Sequence, residues 1–408
     1  MSTRTLPWLP LVLVLERELE PLDFGHGGVV ARWDSHETSR TMALVCKDWE
    51  EAGTWVLYRS IAVFGLVSAE LLVRTLRARP DLGLICESLV LGVGEDMEVS
   101  LTDTGQREAS LVLVEVLNFC SEVRHLQVSL FTPLLGTGTV LNKKKLPQIR
   151  PLHESVHDSL LAAITSKPRL VSLIVAPRLT HQNAGWTSEL FQPADLHRLA
   201  LPSLHHLELN VWAADARRRP PTLVPELKLR ALRLFATAPV SVTFALLQAA
   251  SSLEFLELYT ESSLPVDDLV AALRHSTSTM QRVLCVSNPG GEDTEFDPHP
   301  VPAFDQLLPD YHQLVYLEVS STEISPNAFT RLPPSLRHLG IRSYFGAQSS
   351  AFSAELLQVL RIPGLVLFLE SVTVADDHDG WDVDAVAQLT SAFARRGITF
   401  TFKLNLQL

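Results

Sequence analysis

The sequence predicts an α/β fold in which helix–turn–strand units stack into a solenoid, with parallel strands on a concave face and helices outside. Three observations predict it. First, a leucine-x-x-leucine-x-aliphatic core recurs ten times, from Cys86-Glu-Ser-Leu89-Val-Leu91 to Leu369-Glu-Ser-Val372-Thr-Val374. Between them stand the cores centred on Leu126, Leu173, Leu207, Leu232, Leu256, Val283, Leu317 and Leu339. Second, helix-like stretches with apolar residues three and four apart precede many of these cores. Third, a breaker or polar pair separates helix from strand, as at Pro80, Ser121, Pro168, Ser251-Ser252 and Pro333-Pro334. A repeat this short cannot bury its own apolar face, so neighbouring repeats must share one continuous core.

In chain order, the apolar run Leu6–Leu15 comes first. It is about half the length that spans a bilayer. Pro7 and Pro10 interrupt it, and Glu16-Arg-Glu-Leu-Glu follows where a signal peptide needs small residues. A glycine-rich insert with Phe24-Gly-His-Gly-Gly lies between Asp23 and Ser39. Apolar residues at 42, 45, 49 and 52, then at 56 and 57, mark two short amphipathic helices with a loose point near Gly53. These define an N-terminal helical module over 1–64, followed by a repeat domain over 65–408.

The repeat helices are expected around Leu71 to Leu76, Leu111 to Leu117, Leu160 to Ile164, Phe244 to Leu247 and Leu269 to Leu273. Intervals between the central core residues run from 22 to 47. Regular leucine-rich repeats span about 20–29 residues, so the array is leucine-rich-repeat-like but irregular, with insertions. A generic doubly wound sheet would also alternate helix and strand, but it shows no such self-similarity. Val383 to Arg396 and Ile398 to Leu404 read as a closing helix and edge strand that cap the array. Polar residues between the strand leucines face the opposite way in an extended strand. This places His125, Ser172, His206, Arg233, Glu257, Glu318 and His338 near the concave surface.

Leu44-Val45-Cys46-Lys47-Asp48-Trp49, followed by Leu57-Tyr58-Arg59-Ser60-Ile61, resembles the second half of an F-box, and the chain as a whole is similar to the expanded fungal F-box families. The first half departs from that pattern. Leu6-Pro7 is present, but Pro10 follows where the first helix should run, and proline inside a helix removes a hydrogen bond and clashes with the preceding turn. The resemblance implies a substrate receptor of a Skp–cullin–F-box ubiquitin ligase. Leu6, Pro7, Leu44, Val45, Cys46, Trp49, Leu57 and Tyr58 would then form the adaptor-binding module. The repeats would hold a target protein, and the chain would supply proximity instead of an acid, base or nucleophile. The alternative keeps the repeats as an interaction scaffold with a vestigial N-terminal cap.

Bulk properties fit a binder of proteins. Hydrophobic residues make up 46% and charged residues 20% of the chain, an ordinary globular balance. A net charge of −12 argues against nucleic acid as a partner, because phosphate binding needs a cationic face. The basic triplets Lys143–Lys145 and Arg217–Arg219 lie beside glycine and proline and read as solvated loops. Four cysteines without CxxC spacing favour a reducing intracellular compartment, cytoplasm or nucleus, and no membrane span is expected.

One motif points elsewhere. His153-Glu154-Ser155-Val156-His157 matches H-E-x-x-H, in which two histidines one helical turn apart bind zinc and the glutamate activates water. Leu160 and Ala163 stand where the extended metalloprotease motif has glycine and histidine, so a zinc hydrolase remains the remote reading and no cofactor is expected. The acidic loop Asp376 to Asp384 lacks the first and last ligands of an EF-hand, since Ala375 and Val386 occupy those positions. Neither a phosphate-binding G-x-x-x-x-G-K-[ST] loop nor a G-x-S-x-G elbow occurs.

Overall fold

The computed structural model describes residues 47–64, 66–92, 103–129, 154–175, 197–212, 225–237, 240–260, 264–287, 301–343, 346–362, 368–376 and 382–404. The chain divides into two compact units, Met1–Ala184 and Gly185–Leu408.

In the first unit α1 (Lys47–Arg59) runs into β1 (Ser60–Phe64), followed by α2 (Leu66–Ala78), α3 (Pro80–Ile85) and β2 (Ser88–Gly92). Then come α4 (Asp103–Phe119), β3 (His125–Ser129), α5 (Glu154–Thr165) and β4 (Ser172–Val175). All four strands are parallel and lie in chain order, with Ile61 opposite Leu89, Leu89 opposite Leu126 and Leu126 opposite Leu173. The second unit holds β5 (His206–Trp212), β6 (Ala231–Thr237), α6 (Val240–Ala249), β7 (Phe255–Thr260), α7 (Val266–Leu273) and β8 (Arg282–Ser287). It continues with α8 (Ala303–Leu307), β9 (Tyr316–Ser320), β10 (His338–Ser343), α9 (Gly346–Val359), β11 (Ser371–Asp376), α10 (Val383–Ala394) and β12 (Thr399–Leu404). A 3-10 turn, Pro326–Thr330, takes the place of a helix between β9 and β10. Strands β5 to β12 are again parallel and in chain order, so the core residues Leu207, Leu232, Leu256, Val283, Leu317, Leu339, Val372 and Phe400 form one continuous row.

Those core positions are the reason the strands stack. Leu207, Leu232, Leu256, Val283, Leu317 and Val372 are wholly inaccessible, and a one-residue slip would turn each of them to the other face. The helices cover the leucine side, as the stack of Phe393 of α10 on Phe400 at 5.2 Å demonstrates. Parallel neighbours require such crossovers, because a hairpin turn cannot join them.

A backbone device repeats at the entry of nearly every strand. The carbonyl of the residue preceding one strand accepts from two successive N–H groups at the entry of the next. Glu87 accepts from Arg124 and His125, and Arg124 accepts from Val171 and Ser172. In the second unit the relay runs from His205 to Arg230, Glu254, Gln281, Val315, Arg337 and Glu370, with distances of 2.8 to 3.2 Å. Ion pairs follow the same edge at Arg59–Glu87 (3.0 Å), Arg230–Glu254 (2.7 Å) and Arg337–Glu370 (3.7 Å). Such exposed pairs contribute little each, so the carbonyl relay is the more robust register device.

Some expectations change. Residues 47–59 form one helix that passes through a buried Gly53, not two helices with a loose point there. Ser60 to Phe64, read with the N-terminal module, is a strand paired to β2. Pro80 begins α3 at its first turn, where a missing N–H costs nothing, instead of merely ending α2. The closing helix and strand form as expected. Asp382 caps α10 by accepting from Asp384 N at 3.2 Å, and Gly397 ends it with φ of +74°. No helix among the described residues is long and apolar enough to cross a membrane.

Candidate interaction surface

Alternation leaves the second unit with a sheet face opposite the leucines, and strand register arranges its side chains in rows. The first row runs through Phe255, Arg282, Tyr316, His338 and Ser371. Two residues further along each strand lies a second row with Glu208, Arg233, Glu257, Leu284, Glu318 and Gly340. The third contains Tyr259, Val286 and, further on, Arg342.

The second row is a lattice of paired charges. Arg233 bridges two neighbours, reaching Glu257 Oε2 at 2.5 Å through Nε and Glu208 Oε2 at 3.1 Å. Burial opposes the charge of this guanidinium, but Glu257 and Glu208 together outweigh it and raise its pKa. Burial also lifts the Glu208 carboxyl above its usual range, with Arg233 pulling the other way. Glu318 is held twice: Arg342 Nε donates at 2.6 Å and the Tyr316 hydroxyl at 2.5 Å. Gly340 stands beside it because a Cβ there would come within 2.8 Å of Glu318 Cγ. Leu284 and Val286 point to this same face, yet they are only 6% and 3% exposed and pack with Tyr259 into a small apolar layer. Burial, then Glu257, raises the Tyr259 phenol to about 12.

The first row is a stack. The Arg282 guanidinium lies 4.4 Å from the Tyr316 ring centroid and 5.3 Å from that of Phe255, and Tyr316 meets His338 at 6.3 Å. His338 Nδ1 is 2.9 Å from Ser371 Oγ. Among the described residues the Arg282 side chain makes no hydrogen bond or ion pair, and its Nε is buried without a partner. Beyond the third row, at the far end of β8 and β9, Glu323 is 3% exposed and accepts from Ser287 Oγ at 3.3 Å through Oε1, while Oε2 has no partner among the described residues.

The first unit holds a different cluster. Buried Lys167 donates to the Leu117 carbonyl at 2.5 Å and lies near the buried thiols Cys86 and Cys120. Burial lowers the Lys167 pKa. The contact between the two thiols raises Cys86 and lowers Cys120.

The adaptor-module residues expected from sequence fall unevenly. Leu6, Pro7, Leu44, Val45 and Cys46 lie outside the described residues, and Trp49 is placed only as a position in α1. Leu57 and Tyr58 are half-buried near the end of α1. His153 lies outside the described residues; Glu154 begins α5, and His157 follows within it. Among the described residues no group of three His, Cys, Asp or Glu side chains gathers as a metal site would.

Of the concave-face candidates, Arg233, Glu257 and Glu318 belong to one row and His338 to another. Arg282, Tyr316, Arg342 and Gly340 were missed, although the signal was present. Aligning the cores on their second leucine puts Phe255, Arg282, Tyr316 and His338 in one column. Comparison of the chain with models of known protein families gives no match, and comparison with curated proteins gives none.

Proposed function

We propose that this chain is a non-catalytic receptor that holds another polypeptide on the open face of its repeat sheet. In finer terms it is an irregular leucine-rich-repeat-like solenoid preceded by an F-box-like module, serving as the substrate-recognition subunit of a Skp–cullin–F-box ubiquitin ligase in the cytoplasm or nucleus. The observation that carries the receptor reading is the sheet of the second unit. One face is sealed by leucines, while the other presents a preorganised set of charged and aromatic side chains. Preorganisation favours binding, because little side-chain freedom is left to lose. The ligase part rests on the resemblance of Leu44 to Ile61 to the F-box.

A second reading, a scaffold without ligase activity, has its own support. Helix α1 leads without a break into β1, which joins the sheet, as the first helix of a repeat array would.

Co-expression with a Skp adaptor and cullin separates the two. The ligase reading expects co-purification that is lost in a chain carrying Leu44→Asp and Trp49→Ala, with circular dichroism unchanged. No co-purification of the wild-type chain would leave the scaffold.

A further inference from the structure

We propose that the first row of the second unit's open face is a carboxylate-reading stripe anchored by Arg282, and that its occupant is a segment of the partner polypeptide bearing Asp or Glu. This rests on the receptor reading and adds the chemistry of what is received.

Charge is segregated between the rows. From His206 of β5 to Thr399 of β12, the first row contains no carboxylate. The second row contains three, and each is already engaged: Glu208 and Glu257 by Arg233, Glu318 by Arg342 and Tyr316. The rim carboxylates Glu254 and Glu370 likewise face Arg230 and Arg337. The Arg282 side chain is left without an ion pair among the described residues.

Its setting selects the ligand. The rings of Phe255 and Tyr316 flank the guanidinium and fix its plane, so its rotamer freedom is already spent. The Nε is buried while the residue as a whole is half-buried, so the terminal nitrogens of the planar fork are the part left for a ligand, and such a fork takes a carboxylate through two parallel hydrogen bonds. A monoanion fits better than a phosphate dianion. Only one unpaired guanidinium is offered in this row, and Glu257 and Glu318 lie diagonally across from it in the next.

The test selects binders for the full chain from a random display library of dodecapeptides, then measures a synthetic winner by fluorescence polarisation. The selected peptides are expected to be enriched in Asp or Glu. Arg282→Gln should weaken binding about tenfold or more, and Arg282→Lys should weaken it too, because an ammonium cannot reproduce the fork. Replacing the peptide's acidic residue by alanine should remove the difference between wild type and Arg282→Gln. Arg230→Gln on the rim should change nothing. Thermal melts of both Arg282 variants matching wild type establish that they fold.

Three results overturn the proposal: no acidic enrichment or no binder at all, equal affinity in Arg282→Gln, or a phosphoserine peptide binding more than about tenfold tighter than its carboxylate parent. None of these depends on adaptor binding. Loss of the ligase reading therefore appears in the co-purification experiment alone.

Discussion

Glu323 follows β9 with a buried carboxyl that, among the described residues, has a single donor, Ser287 Oγ, and one oxygen without a partner. Burial pushes its pKa from 4.5 up to about 7, and the Ser287 hydrogen bond only partly opposes this. The folded chain therefore keeps a proton that the unfolded chain gives up earlier. The resulting stability is fully present below about 4.5 and is lost as pH rises towards about 7, with a slope of at most about 1.4 kcal/mol per pH unit. Glu323→Gln removes this titration. Urea unfolding at about pH 5 and about pH 8 should show a smaller loss of stability with rising pH in the variant than in wild type, and identical slopes would refute the argument.

At the level of elements, Gly83 fixes how α3 meets α4. A Cβ at this position would lie 2.5 Å from the carbonyl oxygen of Phe119, which is backbone and cannot swing aside. Gly83→Ala should gain slightly in helix propensity but force the two helices apart, a net loss of about 1–3 kcal/mol by chemical denaturation. An unchanged midpoint would mean that the helix ends yield without cost.

The same elements show what the sequence could reveal. The strands from β2 to β11 were legible because buried leucines recur at a fixed offset, and a parallel sheet aligns equal offsets. Strand β1 was not, because Ser60 to Phe64 lacks the preceding leucine of the core and directly continues a helical pattern. Helix α8 spans only Ala303–Leu307, too short for any period to show. The site was legible as a face but not as rows. Arg233 and Glu257 look like ordinary solvated residues until register sets them side by side, and nothing local in Gln281-Arg282-Val283 announces two rings about the guanidinium.

Across the second unit, strands in strict chain order leave β11 covered on one side only by β12, and α10 closes the leucine face through Phe393. Deleting residues 382–408 would uncover both a strand edge and the buried Val372 and Val374. Bare edges of this kind template intermolecular pairing. The truncated chain is expected to elute as oligomers or to precipitate, read by size-exclusion chromatography with light scattering. A stable monomer would show that the last repeat is dispensable as a cap.

The carbonyl relay at the strand entries makes alignment hereditary. Each strand takes its place from its predecessor, so the stretches between strands need carry no positional information. Within the second unit the intervals between central residues vary from 22 to 34, yet every row stays in line. Loops can therefore lengthen, shrink or change composition without moving Arg282 relative to Tyr316. A fault in one handover, by contrast, would turn every later leucine outward. Such a chain is free to diversify what it recognises, column by column, while the instructions for folding pass unchanged from one repeat to the next.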